Sequence, residues 1–408
     1  MRRGRTRRTG NVKKAPVLLV TISIIVIVIS IILILIKNEE TRKQALIAEQ
    51  EKQERLSVLL QEPEKPIEKD NKDNEEEKKV KASKVKIKVV GNILLERNVI
   101  NSVYDRQSQS YNFTPIFDNV KNLITDSDIT IGNLETNFYN ENYTDHNSPV
   151  SIIDTIKELK INTLNIANNQ NLSDGVDGLI ATKNALTERE IKTYGTSIDD
   201  DDSKITFQVV NNIKIAFLSY ITKIDSNVRY SSEDEKYINI YSEEKAKSDL
   251  EYVKNEGAEY IVVNLHTGSN SYRLSKEEHD IINDFLIQNG ADIIIGTHQY
   301  DIGKMEIKEK SDGKKAFVVN SMGDIISANS SLGMILEVQI SRDTSGQITL
   351  TKVVYTPTYT VKTNEGYRIL DIRDTIKRYE NEDSTIVSKE VYNTLKAQLD
   401  RLEKLIRE

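Results

Sequence analysis

Residues 128–135 read DITIGNLE, and the reading of this octet decides the fold. Ile129 and Ile131 alternate around Thr130, then the chain runs straight into Gly132, Asn133 and Glu135. This is a short strand that stops in polar, chemistry-bearing side chains. The same device recurs on both sides. Residues 84–90 (KVKIKVV) lead into Gly91-Asn92, and residues 163–166 lead into Ala167-Asn168-Asn169-Gln170. Further on, residues 259–265 lead into His266-Thr267-Gly268, and residues 292–295 into Gly296-Thr297-His298. Open sheets gather their sites at strand ends. One such junction is ordinary loop chemistry; five of them imply a shared mouth.

Between the junctions the apolar period changes. Helices are predicted at 151–159, 175–189, 242–255 and 276–288, the second with Leu179, Ile180 and Leu186 on one face. Strands at 205–210 and 213–221 flank Asn211-Asn212, a pair that tolerates positive φ and suits a tight hairpin. Shorter strands follow at 304–307, 316–320, 334–340 and 348–355, and helices at 371–379 and 385–406 close the chain. Strand–helix alternation followed by consecutive strands describes a layered α/β or α+β domain.

In order, the junctions read VVGNILLERNV (89–99), DITIGNLETNF (128–138), LNIANNQNLSDGVDGL (164–179), VVNLHTGSN (262–270), GADIIIGTHQYDIGKMEI (290–307) and VVNSMGDII (318–326). This series resembles the CapA/PgsA family of poly-γ-glutamate capsule synthesis proteins over roughly residues 84–330. That family's pattern runs strand–G-D, N-L-E, A-N-N-H-x-x-D-x-G, H-x-G, G-A-D near G-x-H-P-H, and a late G-N. No single motif is specific, but six in order are. The resemblance implies a calcineurin-like metallophosphatase fold, a four-layer α-β-β-α sandwich, over residues 84–370, with 371–408 as a C-terminal helical segment.

The resemblance also implies a pocket built from Asn92, Asn133, Glu135, Asn168, Asn169, Gln170, His266, His298, Tyr300 and Asp324. Within it, Glu135, Asn169, His266 and His298 are the implied metal ligands. Three positions depart from the pattern: Asn92 stands for Asp, Gln170 for His and Tyr300 for His. The late G-N is Gly323-Asp324. Asp→Asn removes a full charge, His→Gln trades an imidazole for a poor ligand, and a phenol stays protonated at neutral pH. The expectation is therefore a reduced site, holding no metal or a weakly bound divalent ion of the Mn/Fe/Zn class, with no residue named as catalytic. Amides and a phenol at the altered positions predict a neutral, donor-rich pocket suited to carboxylates. His146, in a polar loop, and His279, on a helix beside two glutamates, read as exposed. The acidic run Asp199–Asp202 reads as a solvated loop.

Charge is not evenly spread over the 408 residues, whose formal net charge is −7. Residues 1–36 carry seven cations and no acid. Residues 17–36 are Val, Ile and Leu broken only by Thr21, Ser23 and Ser30, and as a helix they span about 30 Å, the thickness of a bilayer's hydrocarbon. A cleaved signal would have an apolar run of ~7–15 residues and a small-residue cleavage site; here Lys37-Asn38-Glu39-Glu40 follows instead. The prediction is one transmembrane helix, with tail 1–16 cytoplasmic and residues 37–408 outside. Residues 37–83 read as a helical stalk, helix over 39–61, and a charged linker over 62–83 that cannot bury enough surface to fold. The absence of cysteine excludes disulfides, thiol catalysis and iron–sulfur clusters, and net acidity disfavours nucleic acid as a partner.

Together these features describe an extracytoplasmic accessory protein of capsule or poly-γ-glutamate synthesis and export. Its expected partners are the membrane, membrane-embedded synthetase or export subunits, and an anionic polymer such as poly-γ-glutamate. A second reading is a cell-surface metal-dependent hydrolase of phosphoester or amide bonds. A third is an envelope binding module that keeps the fold and has lost its chemistry.

Overall fold

The computed structural model describes residues 81–407, apart from 269–271, 330 and 382. The predicted tail, transmembrane span and nearly all of the stalk lie outside the described residues. Among the described residues no helix is long and apolar enough to cross a membrane.

In chain order the first strands are β1 (Ser83–Ile93), β2 (Tyr104–Asp105), β3 (Ser110–Tyr111), β4 (Ile129–Leu134), β5 (Thr163–Asn165), β6 (Lys192–Tyr194), β7 (Thr206–Val210) and β8 (Ile213–Ile221). They are followed by β9 (Tyr260–His266), β10 (Ile293–Thr297), β11 (Met305–Glu309), β12 (Lys315–Val319), β13 (Asp324–Ile326), β14 (Leu332–Arg342), β15 (Ile348–Thr363) and β16 (Gly366–Asp371). One eight-stranded sheet has the order β16-β15-β14-β1-β4-β5-β6, with β13 paired to β1; a six-stranded sheet has the order β11-β12-β10-β9-β8-β7. β2 and β3 form a separate small hairpin.

The central strands are buried at every position because each sheet is covered on both faces. In β9, Ile261, Val263 and Leu265 pack with Ala246, Leu250 and Val253 of the helix Glu243–Asn255 and with Leu286 of the helix Lys276–Gln288. The intervening Val262, Asn264 and His266 take the opposite face, as a period of two requires. On the larger sheet, Leu134 and Leu164 pack with Ile152, Ile153 and Ile156 of the helix Ile152–Glu158. The other face of β1 and β4 carries Val85, Ile87, Val89, Ile129 and Ile131, all fully buried like Ile215, Phe217, Val262, Ile293 and Ile295 of the smaller sheet. Each such side chain contributes about 1.5–3 kcal/mol on burial. Polar ties also cross between the sheets: Tyr194 donates to Asn264, and Gln208 Nε2 donates to Thr163 Oγ1 at 2.6 Å. The result is a mixed α/β sandwich with helices outside two facing sheets.

Several predicted elements have these bounds to within a residue. Asn211 and Asn212 take φ of 48° and 65°, so the hairpin turn is left-handed at both central positions. The helix Lys276–Gln288 starts on a capping box, Ser275 accepting from Glu278 N while Glu278 accepts from Ser275 N. β6, β13, β16 and the β2–β3 hairpin were not anticipated, and β15 runs eight residues beyond the predicted Tyr355. The acidic run is loop chemistry, as expected: Asp199 Oδ1 accepts from the backbone of Asp201 and Asp202, and Asp202 pairs with Lys183. The helices Ile372–Asn381 and Lys389–Arg407 stack through Tyr379 and Tyr392 at 4.1 Å. Arg401 of the second is bidentate to Asp301, just beyond Tyr300.

What the fold does for function is set by direction. β1, β4, β5 and β6 are mutually parallel, as are β8, β9, β10 and β12. The five polar junctions therefore come to one edge of the sandwich.

Candidate functional site

Three backbone features let the junctions converge. Gly296 ends β10 so close to its neighbour that a Cβ there would lie 2.0 Å from Asn320 O. Two residues on, His298 has φ of 82°, a conformation that costs a non-glycine residue about 1–3 kcal/mol and gathers at functional sites. Asn168 locks the 167–171 turn to the end of β4, donating to Leu134 O at 3.0 Å and accepting from Gln170 N at 2.9 Å.

The centre is Glu135, His266 and His298. All three are buried, and one potential ligand atom from each lies within 4.8 Å of the others. The His266 and His298 rings are 4.8 Å apart, and His298 lies 5.6 Å from Tyr300. His266 is held on both sides, by Asn169 Oδ1 at 2.9 Å from Nε2 and by Thr297 Oγ1 at 3.2 Å from Nδ1. With Nε2 donating to the Asn169 oxygen, Nδ1 is the nitrogen that faces Glu135, 3.8 Å away. Asn169 Nδ2 is buried and has no hydrogen-bond partner among the described residues.

Behind this centre runs a row of buried amides. Asn133 Nδ2 donates to Glu135 Oε1 at 2.8 Å and to Asn92 Oδ1 at 2.9 Å. Asn92 Nδ2 in turn donates to Asp324 Oδ1 at 2.8 Å. In front lies a cavity of about 400 Å³ lined by Leu94, Glu96, Glu135, Asp145, His146, Asn169, Gln170, His298, Tyr300 and Asn329. Of the ten residues expected in the pocket, Glu135, Asn169, Gln170, His298 and Tyr300 line this cavity. Asn92, Asn133, His266 and Asp324 stand behind the lining, and Asn168 serves the turn.

The altered positions have definite partners. Gln170 donates to Asp225 and accepts from Ser173 Oγ. The Tyr300 hydroxyl is pushed up to about 12 by burial, and further by the nearby negative charges of Glu135 and Asp324, so it is a donor at neutral pH. Arg273 stacks over its ring at 5.8 Å. Burial holds the Glu135 carboxyl well above its ordinary range, helped by the charge of Asp324 and opposed by the Asn133 hydrogen bond. Burial, and then His298, keep His266 well below the ordinary imidazole range.

Two expectations are corrected. The pocket is not built of amides and a phenol alone: the acids Glu96, Glu135, Asp225 and Asp324 are all buried around it. A bare carboxylate would meet like charge there, whereas a cation would be drawn in. Nor are the two outlying histidines exposed. His146 is half-buried in the cavity wall because its loop folds back, Asn137 N donating to His146 O at 2.7 Å. His279 is buried, its Nε2 2.9 Å from Gln299 Nε2. Sequence reasoning missed Glu96 and Asp225. Glu96 had a signal, since it closely follows the first junction; it accepts from Ser327 Oγ at 2.6 Å and Ala328 N at 2.8 Å. Asp225 sits in a loop without a motif.

One carboxylate and two imidazoles make a borderline donor set that fits a divalent ion of the Mn/Fe/Zn class.

Comparisons with known proteins bear on the same residues. The family model described as "Bacterial capsule synthesis protein PGA_cap" matches residues 86–329. Capsule biosynthesis protein CapA of Bacillus anthracis is 24% identical over 255 residues, which is 60% of this chain and 60% of that protein. PGA biosynthesis protein CapA of Bacillus subtilis (strain 168) is 24% identical over 235 residues, 53% of this chain and 58% of that protein. The chain thus spans about three fifths of the length of the curated relatives it matches. Among solved structures, the calcineurin-like phosphoesterase YfkN from Bacillus subtilis is similar at a TM-score of 0.39 and 13% identity, covering 80% of this chain and 100% of that one.

Proposed function

The chain belongs to the bacterial capsule synthesis protein family PGA_cap, and on that premise we propose that it serves capsule synthesis as a membrane-anchored accessory protein on the outer face of the membrane. The polymer it handles is poly-γ-glutamate or a similar anionic chain. The observation that carries the reading is coincidence of span: the matched residues, 86–329, contain the whole centre from Asn92 through Asp324 and every residue lining the cavity. The basic tail and apolar run at residues 1–36 support the anchor. Membrane-embedded synthetase or export subunits are the partners that this placement suits.

In this reading Glu135, His266 and His298 hold a divalent cation, with Asn169 beside them. When bound, it supplies positive charge and Lewis acidity to a pocket otherwise rich in acids. Asn169 and Thr297 fix the His266 ring, so that Nδ1 faces Glu135. Tyr300 donates a hydrogen bond from the wall, and Arg273, exposed above its ring, places a positive charge at the rim where a polymer carboxylate arrives. Gln170 is tethered to Asp225 and shapes the floor.

The ligand group itself favours the second reading, a surface metal-dependent hydrolase, so the test separates the two. Deleting the chain's gene is expected to abolish surface polymer, and wild-type complementation to restore it. Restoration by Glu135→Ala as well would assign a scaffold role. Failure of that variant, together with metal-dependent phosphodiester turnover that the same change abolishes, would select the hydrolase. Unchanged polymer in the deletion would refute the capsule role.

A further inference from the structure

Asn92 and Asp324 face each other across the parallel pairing of β1 with β13, and Asn92 N donates to Gly323 O at 2.9 Å alongside. The hydrogen-bond polarity of the amides linking them to Glu135 is fixed from outside. Ala167 N–H must donate, so it sets Asn165 Oδ1 in place at 3.1 Å. Asn165 Nδ2 then donates to Asn133 Oδ1 at 2.6 Å, which leaves Asn133 Nδ2 to serve both Glu135 and Asn92 Oδ1. Asn92 has only Nδ2 left to offer, and position 324 must accept. The row therefore ends in an acceptor at each side of the two strands, Glu135 at one end and Asp324 at the other, both buried.

We infer that Asp324, standing behind the Glu135–His266–His298 group, is the second buried carboxylate that balances the charge of a cation held there, and that Asn92 and Asp324 form one amide–carboxylate couple in which the charge stands on β13. The inference rests on the cation-holding pocket proposed above. The chemistry is that of charge density: two buried acids joined by neutral amides are stable together when a dication neutralises both. The couple is reversible by design of its hydrogen bonds. With Asp at 92 accepting from Asn133 and Asn at 324 donating back, every bond of the row is kept and only the charge changes strand.

The test is Mn²⁺ binding to the full-length chain in mild detergent, by calorimetry and by metal content after dialysis. D324N keeps the shape and can still accept from Asn92, so its melt in chelator should be no lower than that of the wild type. Its Kd for Mn²⁺ should rise about tenfold or more, and the double exchange N92D/D324N should regain most of the loss. Wild-type affinity in D324N would overturn the inference, and so would a double exchange no better than D324N. E135Q separates the two readings: if it alone loses Mn²⁺, the pocket stands and the Asp324 assignment falls. If the wild type takes no Mn²⁺, the inference falls with the cation pocket, while the capsule role is still decided by the polymer assay.

Discussion

His298 combines a functional side chain with a backbone, φ 82°, that L-residues avoid. The strain has a local cause: Gly296 packs against Asn320, and the chain leaves β10 at Thr297 and must turn at once to bring the His298 ring beside His266. Glycine adopts this backbone without penalty. H298G is therefore expected to be more stable than H298A by about 1 kcal/mol, measured by chemical denaturation in chelator, with Mn²⁺ binding lost in both. Equal stabilities would mean that the turn is not strained. At this scale the sequence is an uneven guide. The trio Glu135, His266 and His298 was legible because each stands just past an apolar run and the family resemblance marked the same positions. Asp225 was not, because its burial depends on Gln170, 55 positions away. Asn92 looked like a loss for the same reason: its value lies in Asp324, 232 positions along.

At the level of elements, β15 shows what residue patterns miss. Pro357 suggests a strand end, yet the strand continues to Thr363. Pairing with β16 begins only at Thr358, opposite Asp371, so the proline's missing N–H falls where no strand lies on that side. β6 and β13, three residues each, are too short to show a period and form only because β5 and β1 offer them an edge. Between β1 and β14, Lys88 lies opposite Glu337 and bonds it at 2.7 Å, with Lys352 reaching the same carboxylate at 2.8 Å. Burial would raise the Glu337 carboxyl, but hydrogen bonds from Lys352, Lys88 and Gln339 outweigh it and hold the group at about 2, against an ordinary 4.5. A depressed carboxylate contributes stability that is full above 4.5 and is lost as pH falls towards 2. E337Q should thus cost about 1–3 kcal/mol at pH 7, and the deficit should shrink in urea melts below pH 4.5. A deficit independent of pH would assign the loss to packing.

For the whole molecule, the proposed topology makes one prediction that needs no knowledge of the site. Protease added to intact cells without an outer barrier should digest residues 37–408 and spare the basic tail; protection of the bulk would reverse the orientation. Layering was legible in the sequence because strands alternate with helices in the first half and follow one another in the second, while the mixed order of the larger sheet was not. β1, the first strand described, sits between β4 and β14, and its register with β14 joins Ser83 to Arg342. Contacts so distant in sequence form slowly. They also give the centre a schedule. A chain made from its N-terminus presents Asn92 and Glu135 early and His266 and His298 later, but Asp324 and the β14 strand that flanks β1 come last. A nascent or clipped chain lacking β13 keeps Glu135, His266 and His298 but cannot close the amide–carboxylate couple. If Asp324 balances the proposed cation, such a chain binds the ion more weakly than the finished one.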